Sequence, residues 1–215
     1  MPAKNRAKAQ AAYPNASPQV QAYVAANLEL ENALTYLVNA LEQAGIADDT
    51  VIVISPDHYP YGLERSSTWK NTENYLNELY GVTEVDRFTR DSNALIIWSG
   101  CLEDKNLKVE TPVYSLDILP TLSNLFGLNY DSRLLVGRDV FSDTEPLVLW
   151  PEYSWKTDKG TYDSGSRTFT PAEGVEVDDS YVDRIKAIVS NKISYSREVQ
   201  NLKYFQVLSD FLNGK

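Results

Sequence analysis

Apolar residues near the start of the chain recur with the spacing of an α-helix. From Val20 to Leu41 they follow one another mostly at intervals of three or four residues, which predicts an amphipathic helix. Ser17-Pro18 suits the N-cap and first turn of this helix, and Gly45 stands where a left-handed C-cap belongs. The residues before it, 1–17, are rich in Ala, Lys, Asn and Pro, and we interpret them as a mobile lead-in.

Two short runs are apolar at every position, 51–54 and 94–98. Runs without polar alternation are typical of strands buried on both faces, as in a parallel sheet covered by helices. Helical patterns lie over 69–81 and 111–128, and Pro120 either starts the second helix or kinks it. The alternation of helices and strands predicts an α/β fold, a layered core with mainly parallel buried strands.

The pattern changes after residue 145. Residues 146–155 predict a third strand, and 156–174 alternate charged, Thr, Gly and Tyr residues as in an exposed antiparallel hairpin. Two helical patterns follow from Asp178 to the end of the chain. We therefore predict an α/β core over 18–145 and a small α+β subdomain with antiparallel strands and C-terminal helices over 146–215.

The net charge, the single cysteine and the single histidine limit the functions that this chain could have. A formal net charge of -10 argues against nucleic acid and anionic membranes as partners. No apolar run approaches the roughly 20 residues that cross a bilayer, so we expect this chain itself to be soluble. One cysteine, Cys101, rules out an intrachain disulfide and is interpreted as a packing residue. One histidine, His58, must carry any histidine chemistry that the chain performs alone.

Asp57 and His58 follow the first predicted strand, in a segment whose prolines end that strand. In open α/β sheets, ligands bind beyond the carboxyl ends of the strands. A carboxylate and an imidazole are good ligands for zinc or manganese, and a turn lets neighbouring side chains converge on one ion. An Asp-His dipeptide is a weak motif alone, because a metal needs three or four protein ligands. The alternative is that Asp57 caps a turn and His58 packs locally.

Two further groups carry less specific chemistry. Arg138, within Gly137-Arg138-Asp139, is a candidate for holding an anionic substrate; the alternative is a turn with a structural Arg–Asp pair. Trp150, Tyr153 and Trp155 form either an aromatic binding platform or part of the core and strand surface.

Four segments, in order and spacing, resemble the sulfatase and alkaline phosphatase superfamily. Residues 49–58 are similar to the late strand that carries metal ligands, and 28–45 to the helix before it. The sequence Leu-Asp-Ile-Leu-Pro-Thr-Leu within 115–128 and Gly-Arg-Asp-Val-Phe at 137–141 resemble two later segments. The pattern most resembles the lipoteichoic acid synthase-like phosphoglycerol transferases of Gram-positive bacteria.

The resemblance implies part of an alkaline phosphatase-like fold and a metal-dependent enzyme that acts on phosphate esters. It implies that Asp57 and His58 are metal ligands, for manganese first, with zinc, magnesium or calcium as alternatives. It also implies a parent protein on the extracellular face of the cell membrane, active in the cell wall on a substrate that could be lipid-linked.

The same resemblance places the nucleophile and the other metal ligands upstream, in a stretch with no counterpart here, so no catalytic residue is assigned. Tyr59 also follows His58 where many relatives have glycine. We therefore expect the C-terminal portion of a catalytic domain, with the missing N-terminal half as its partner. In isolation it should be inactive and should self-associate through exposed apolar surface. The alternatives are a non-catalytic binding or assembly module on this fold, and a sulfate ester hydrolase.

Overall fold

The computed structural model describes residues 4–68, 70–105 and 107–214 of the 215-residue chain. They form two compact units, residues 1–106 and 107–215. The sequence placed a boundary after 145, whereas the structure divides the chain between 106 and 107. Within the described residues, no helix combines the length and apolar composition that crossing a membrane requires.

The first unit contains four helices and two strands within its described residues. They are α1 (Arg6–Ala12), α2 (Pro18–Gln43), β1 (Ile52–Ile54), α3 (Tyr75–Tyr80), α4 (Arg87–Arg90) and β2 (Ile96–Trp98), with 3₁₀ turns at Tyr61–Leu63 and Gly100–Lys105.

The ends of α2 confirm the helix that the sequence predicts. The Ser17 side chain accepts a hydrogen bond from the Val20 N–H at 3.3 Å, as an N-cap does. Beyond the last turn, Gly45 adopts a φ of +68°, which costs glycine little. The N-terminal part of α2 is partly buried, and most positions of its C-terminal half are exposed.

The segment interpreted as a mobile lead-in contains helix α1, which packs along α2. Ala9 is fully buried, and the Asn5 amide donates to the Ala25 carbonyl at 3.2 Å and to the Glu29 carboxylate at 2.7 Å. Alanine has the highest helix propensity, and a small side chain lets two helices approach closely. Residues 6–12 of this segment therefore form a helix with tertiary contacts.

Strands β1 and β2 lie where the sequence predicts them, but the prediction of a parallel sheet is wrong. They pair antiparallel, with Ile52 opposite Trp98 and Ile54 opposite Ile96. β1 is only half-buried, and Ile96 remains 51% exposed. A three-residue apolar run encodes burial but does not encode the direction of its partner, so the sequence pattern fits either arrangement.

The second unit contains a four-stranded sheet and three helices within its described residues. They are α5 (Ile118–Leu125), β3 (Val148–Leu149), β4 (Trp155–Thr157), β5 (Gly160–Asp163), β6 (Thr168–Pro171), α6 (Tyr181–Asn201) and α7 (Tyr204–Leu212). The strands are antiparallel in the order β3-β4-β5-β6, as the sequence predicts for this region. The 3₁₀ turn Ser115–Asp117 leads into α5, and Pro120 lies in its first turn, so it starts the helix.

The core of the second unit lies between this sheet and α6. Trp155 is fully buried and stacks on Tyr162, with ring centroids 5.5 Å apart. Tyr181, Ile185 and Val189, spaced four residues apart on α6, complete the buried cluster. One face of the predicted exposed hairpin is therefore buried, and Trp155 is a core residue. The chain as a whole is a mixed helix and sheet protein.

Candidate metal site

Asp57 and His58 lie together in the loop that follows β1. Their side chains are 88% and 49% exposed, and His58 Nε2 lies 3.5 Å from Asp57 Oδ1. Pro56 ends the strand, and Pro60 leads into the 3₁₀ turn, whose Leu63 is buried. The sequence prediction that the two side chains converge beyond the strand agrees with this contact.

The hydrogen bond of His58 leaves its Nε2 atom available to a ligand. Nδ1 lies 2.7 Å from the backbone carbonyl of Tyr59, so in the neutral ring Nδ1–H donates and Nε2 carries the lone pair. Metal-binding histidines use this arrangement, with one nitrogen on a backbone carbonyl and the other on the ion. Two ligands bound about 2.1 Å from one ion at a tetrahedral angle lie about 3.4 Å apart, close to the observed spacing. The pair fits a shared metal ion in both kind and spacing.

The number of ligands falls short of a complete site. In the described parts of the chain, no group of three or more His, Cys, Asp or Glu side chains could hold a metal. Structural and catalytic metal sites use at least three protein ligands, because each one offsets part of the lost hydration of the ion. Asp57 and His58 therefore form at most part of such a site.

Arg90, at the end of α4, supports the loop that carries the pair. Its guanidinium carbon lies 4.3 Å from the centroid of the Tyr59 ring, which is a cation–π contact. The same side chain donates to Asp91 at 2.8 Å and lies 3.8 Å from the Glu64 carboxylate. The hydrogen bond that Arg90 donates to the Asp91 carboxylate raises the pKa of Arg90 and keeps it charged. Sequence reasoning missed this residue, because no motif links positions 59 and 90.

Tyr59 shapes the rim of the loop. Burial and a hydrogen bond with the Glu64 side chain raise its pKa, so the phenol stays neutral at physiological pH. Tyr61 stands between the two neighbours: its ring lies 4.5 Å from the His58 ring and 6.4 Å from the Tyr59 ring. The tyrosine pair therefore forms an aromatic rim beside the imidazole.

Arg138, the candidate anion-binding residue, lies in the second unit. Its guanidinium donates to the Asp139 and Val140 carbonyls at 3.4 and 3.5 Å and to the Thr111 hydroxyl at 3.1 Å. These contacts leave its Nε buried and without a hydrogen-bond partner among the described residues. The contacts brace the turn that follows Gly137.

The backbone of Arg138 is hydrogen-bonded to Asp117, and this bond joins segments 115–128 and 137–141. The Asp117 carboxylate, 1% exposed, accepts from the Arg138 N–H at 2.8 Å and from the Tyr114 N–H at 3.1 Å. Gly137 is required here, because a Cβ would lie 2.0 Å from the Leu116 carbonyl oxygen. We call this arrangement of Asp117 and the 137–138 backbone the Asp117 lock.

The Asp117 lock is electrostatically unusual. Burial raises the pKa of Asp117 above its ordinary 3.8, while the two N–H donors and the charges of Arg138 and Lys192 oppose that rise. Burial lowers the pKa of Lys192, and the charge of Asp117 opposes that change. The Lys192 ammonium donates to the Val136 carbonyl at 2.6 Å, which ties α6 to the same turn. This bond helps to explain why residues 107–145 belong to the C-terminal unit.

Comparison with known proteins agrees with these segments. The sulfatase family model matches residues 2–128, more than half of the chain. The chain is 28% identical over 132 residues to lipoteichoic acid synthase of Staphylococcus saprophyticus and 27% identical over 136 residues to that of Staphylococcus aureus. Each match covers 60% of this chain but 19% of the relative, so the matched region spans about a fifth of the relatives' length. The chain belongs to the sulfatase family.

Proposed function

We propose that this chain contributes Asp57 and His58 to the divalent metal centre of a sulfatase-like phosphoglycerol transferase. The observation that carries the proposal is the 3.5 Å contact between Asp57 Oδ1 and His58 Nε2. The hydrogen bond between Nδ1 and the Tyr59 carbonyl leaves Nε2 as the nitrogen that can bind a metal. The similarity to lipoteichoic acid synthases supports phosphoglycerol transfer as the reaction class.

Manganese is the metal that we propose, with zinc, magnesium or calcium as alternatives. A carboxylate and one imidazole together suit manganese or zinc better than calcium, which prefers oxygen ligands. When bound, a divalent ion polarises a phosphoryl oxygen and stabilises developing negative charge. Asp57 and His58 would supply two ligands of this ion. Arg90 keeps their loop in place through its contact with Tyr59.

We further propose that the remaining ligands and the nucleophile come from an N-terminal half of the catalytic domain. The exposed apolar positions of α2 support this proposal, because they form a groove that a partner could fill. Leu30 is exposed, and Leu34 and Val38 follow it at intervals of four residues along the same side of the helix. In the relatives the matched region is about a fifth of the chain, and the proposed partner segment corresponds to another part of such a chain.

The substrate and the location belong to the same proposal. We expect the substrate to be a phosphate ester, including a lipid-linked one. We expect the parent protein to act on the extracellular face of the cell membrane, in the cell wall of a Gram-positive bacterium. A sulfate ester remains the alternative that the family name itself favours. Arg138 would serve this substrate indirectly, by holding the turn next to the Asp117 lock.

Titration with Mn²⁺, followed by electron paramagnetic resonance of the free ion, tests the ligand role. We expect weak binding to the intact chain and a loss of that binding in both Asp57→Asn and His58→Ala. Asp179→Asn is the matched control, because it removes an exposed carboxylate of the other unit. Binding that survives both site substitutions would refute the ligand assignment.

A phosphate ester assay of the same preparations tests the partial nature of the site. We expect no turnover by the chain alone. Turnover that depends on His58 would contradict the proposal that a second polypeptide segment completes the site. A stable chain with no metal affinity would instead favour the binding or assembly module, which the small number of ligands among the described residues also supports.

A further inference from the structure

Helix α7 is exposed to solvent on nearly all sides. None of its residues is buried, and Phe205, Val207, Phe211 and Leu212 are each more than half exposed. Leu202, at the end of α6, is exposed to a similar degree. Soluble monomers rarely expose a contiguous apolar surface of this kind, so we expect another molecule to bind it.

The exposed residues of α7 divide into two faces. The polar positions follow the i, i+3, i+4, i+7 rule of one helical stripe: Gln206, Ser209, Asp210 and Asn213. This stripe is internally bonded, since the Gln206 amide donates to Asp210 at 2.9 Å and the Asn213 amide to the Ser209 carbonyl at 2.7 Å. The other positions of α7 are apolar, so the helix is amphipathic with a broad apolar face.

We propose that a second copy of this chain covers α7, by antiparallel packing of the two α7 helices about a two-fold axis near Val207. Lys203 is the N-cap residue of the helix, and Asp210 lies seven positions later, about two helical turns along the same side. A two-fold axis brings the same side of both copies together in opposite directions. Lys203 of each copy then faces Asp210 of the other, so the charges are self-complementary.

The exposed apolar area of α7 comes close to the area that one partner buries in such a dimer. At about 150–250 Å² for a whole aromatic side chain, the exposed parts of α7 and Leu202 amount to something on the order of 700 Å². One partner of a standard interface contributes about 800 Å². The face is therefore of the size that a specific dimer buries, and the proposal is independent of the metal site.

Other occupants fit the same face less well. A membrane-surface helix carries Lys and Arg on its polar face, whereas the polar stripe of α7 has none, and the chain has a net charge of -10. The sulfatase family match ends at residue 128, so α7 lies outside the part of the chain that matches a sulfatase domain.

Sedimentation velocity of the intact chain over a range of concentrations tests the dimer. We expect a reversible monomer–dimer equilibrium and an increase of at least about tenfold in the dimer dissociation constant for Phe211→Glu, because the interface would bury an unpaired charge. Ser209→Glu adds the same charge on the polar stripe and should change the constant less than about twofold. Circular dichroism checks that both variants stay folded; Phe211 is 78% exposed, so its replacement removes little packing.

A charge exchange tests the two-fold arrangement itself. Lys203→Glu and Asp210→Lys should each weaken the dimer, and the double variant should restore it. A chain that is monomeric at every concentration overturns the proposal, including one that binds phosphatidylcholine vesicles through α7. A dimer that Phe211→Glu leaves intact overturns it as well, and substitution of Leu34 on α2 would then locate the alternative surface.

Discussion

At the scale of single residues, Asp117 is an ionisable side chain that is almost fully buried. Its carboxylate accepts hydrogen bonds from two backbone N–H groups, and these bonds favour the ionised form. Burial nevertheless raises the pKa of Asp117 above 3.8. The folded protein therefore binds the Asp117 proton more tightly than the unfolded chain does. It follows that the contribution of Asp117 to stability is greatest below pH 3.8 and is lost as the pH rises through the raised pKa.

This sign gives a prediction for Asp117→Asn. The amide cannot titrate and directs an NH₂ group at one of the two N–H donors, so the variant should lose about 1–3 kcal/mol of unfolding free energy. The loss should be larger at pH 3 than at pH 7, because the wild-type residue is itself less favourable once ionised. Urea denaturation at both pH values measures it, and a loss that grows with pH would contradict the raised pKa.

The opposite sign is expected for Asp86, the N-cap of α4. Burial acts to raise its pKa, but hydrogen bonds from the Thr89 side chain and from the Thr89 and Phe88 backbone outweigh burial and lower it. Its contribution is therefore present above pH 3.8 and is lost as the pH falls through the lowered pKa. Asp86→Asn should cost least in acid, and a cost that peaks there would refute the assignment.

Arg90 gives a residue-scale prediction for the metal-site loop. Arg90→Lys keeps the positive charge but loses the planar group that lies over Tyr59, a contact worth about 0.5–1 kcal/mol at an exposed site. We expect faster amide hydrogen exchange over 59–64 and weaker Mn²⁺ binding, without a change at the metal ligands themselves. Arg87→Lys, on the same helical turn, is the control. Unchanged exchange in Arg90→Lys would remove Arg90 from its supporting role.

At the scale of elements, Gly137 decides whether the turn and α5 can meet. A Cβ there would lie 2.0 Å from the Leu116 carbonyl oxygen, so Gly137→Ala should destabilise the protein by about 1–3 kcal/mol through overpacking. Gly62→Ala is the control, since a Cβ there meets nothing within 4 Å. Thermal denaturation compares the two, and equal midpoints would show that the turn yields without cost.

The elements also show what a sequence can and cannot specify. Helices α2 and α6 follow from their apolar spacing, and α2 also from its Ser17 N-cap, because these signals are local. The direction of β1 and β2 did not follow, since each has three residues and the partner lies over 40 positions away. Asp57 and His58 can be proposed as a pair from the sequence because they are adjacent, and their role as metal ligands stays a prediction. Arg90 could not be predicted from the sequence, because its contact with the Tyr59 ring joins distant positions that share no sequence motif.

At the scale of the whole molecule, the net charge of -10 opposes any association of two copies. Apolar contacts between α7 helices must therefore overcome a repulsion that salt screens, with a Debye length of about 10 Å at 0.1 M. We expect the dimer to tighten as NaCl rises from about 20 to 300 mM, as sedimentation equilibrium would measure. Weakening by salt would mean that the Lys203–Asp210 pairs, and not the apolar face, dominate.

The Asp117 lock has a consequence for how such sequences diverge. One partner is a side chain, at 117, and the other is a backbone N–H, at 138, which any residue except proline supplies. This bond therefore tolerates change at 138. Asp117 and Gly137 depend on each other, because the hydrogen bond to Asp117 needs the close approach to Leu116 that glycine at 137 allows. In distant homologues we expect the two positions to be kept or replaced as a pair, so a sequence with one and not the other marks a turn that has been rebuilt.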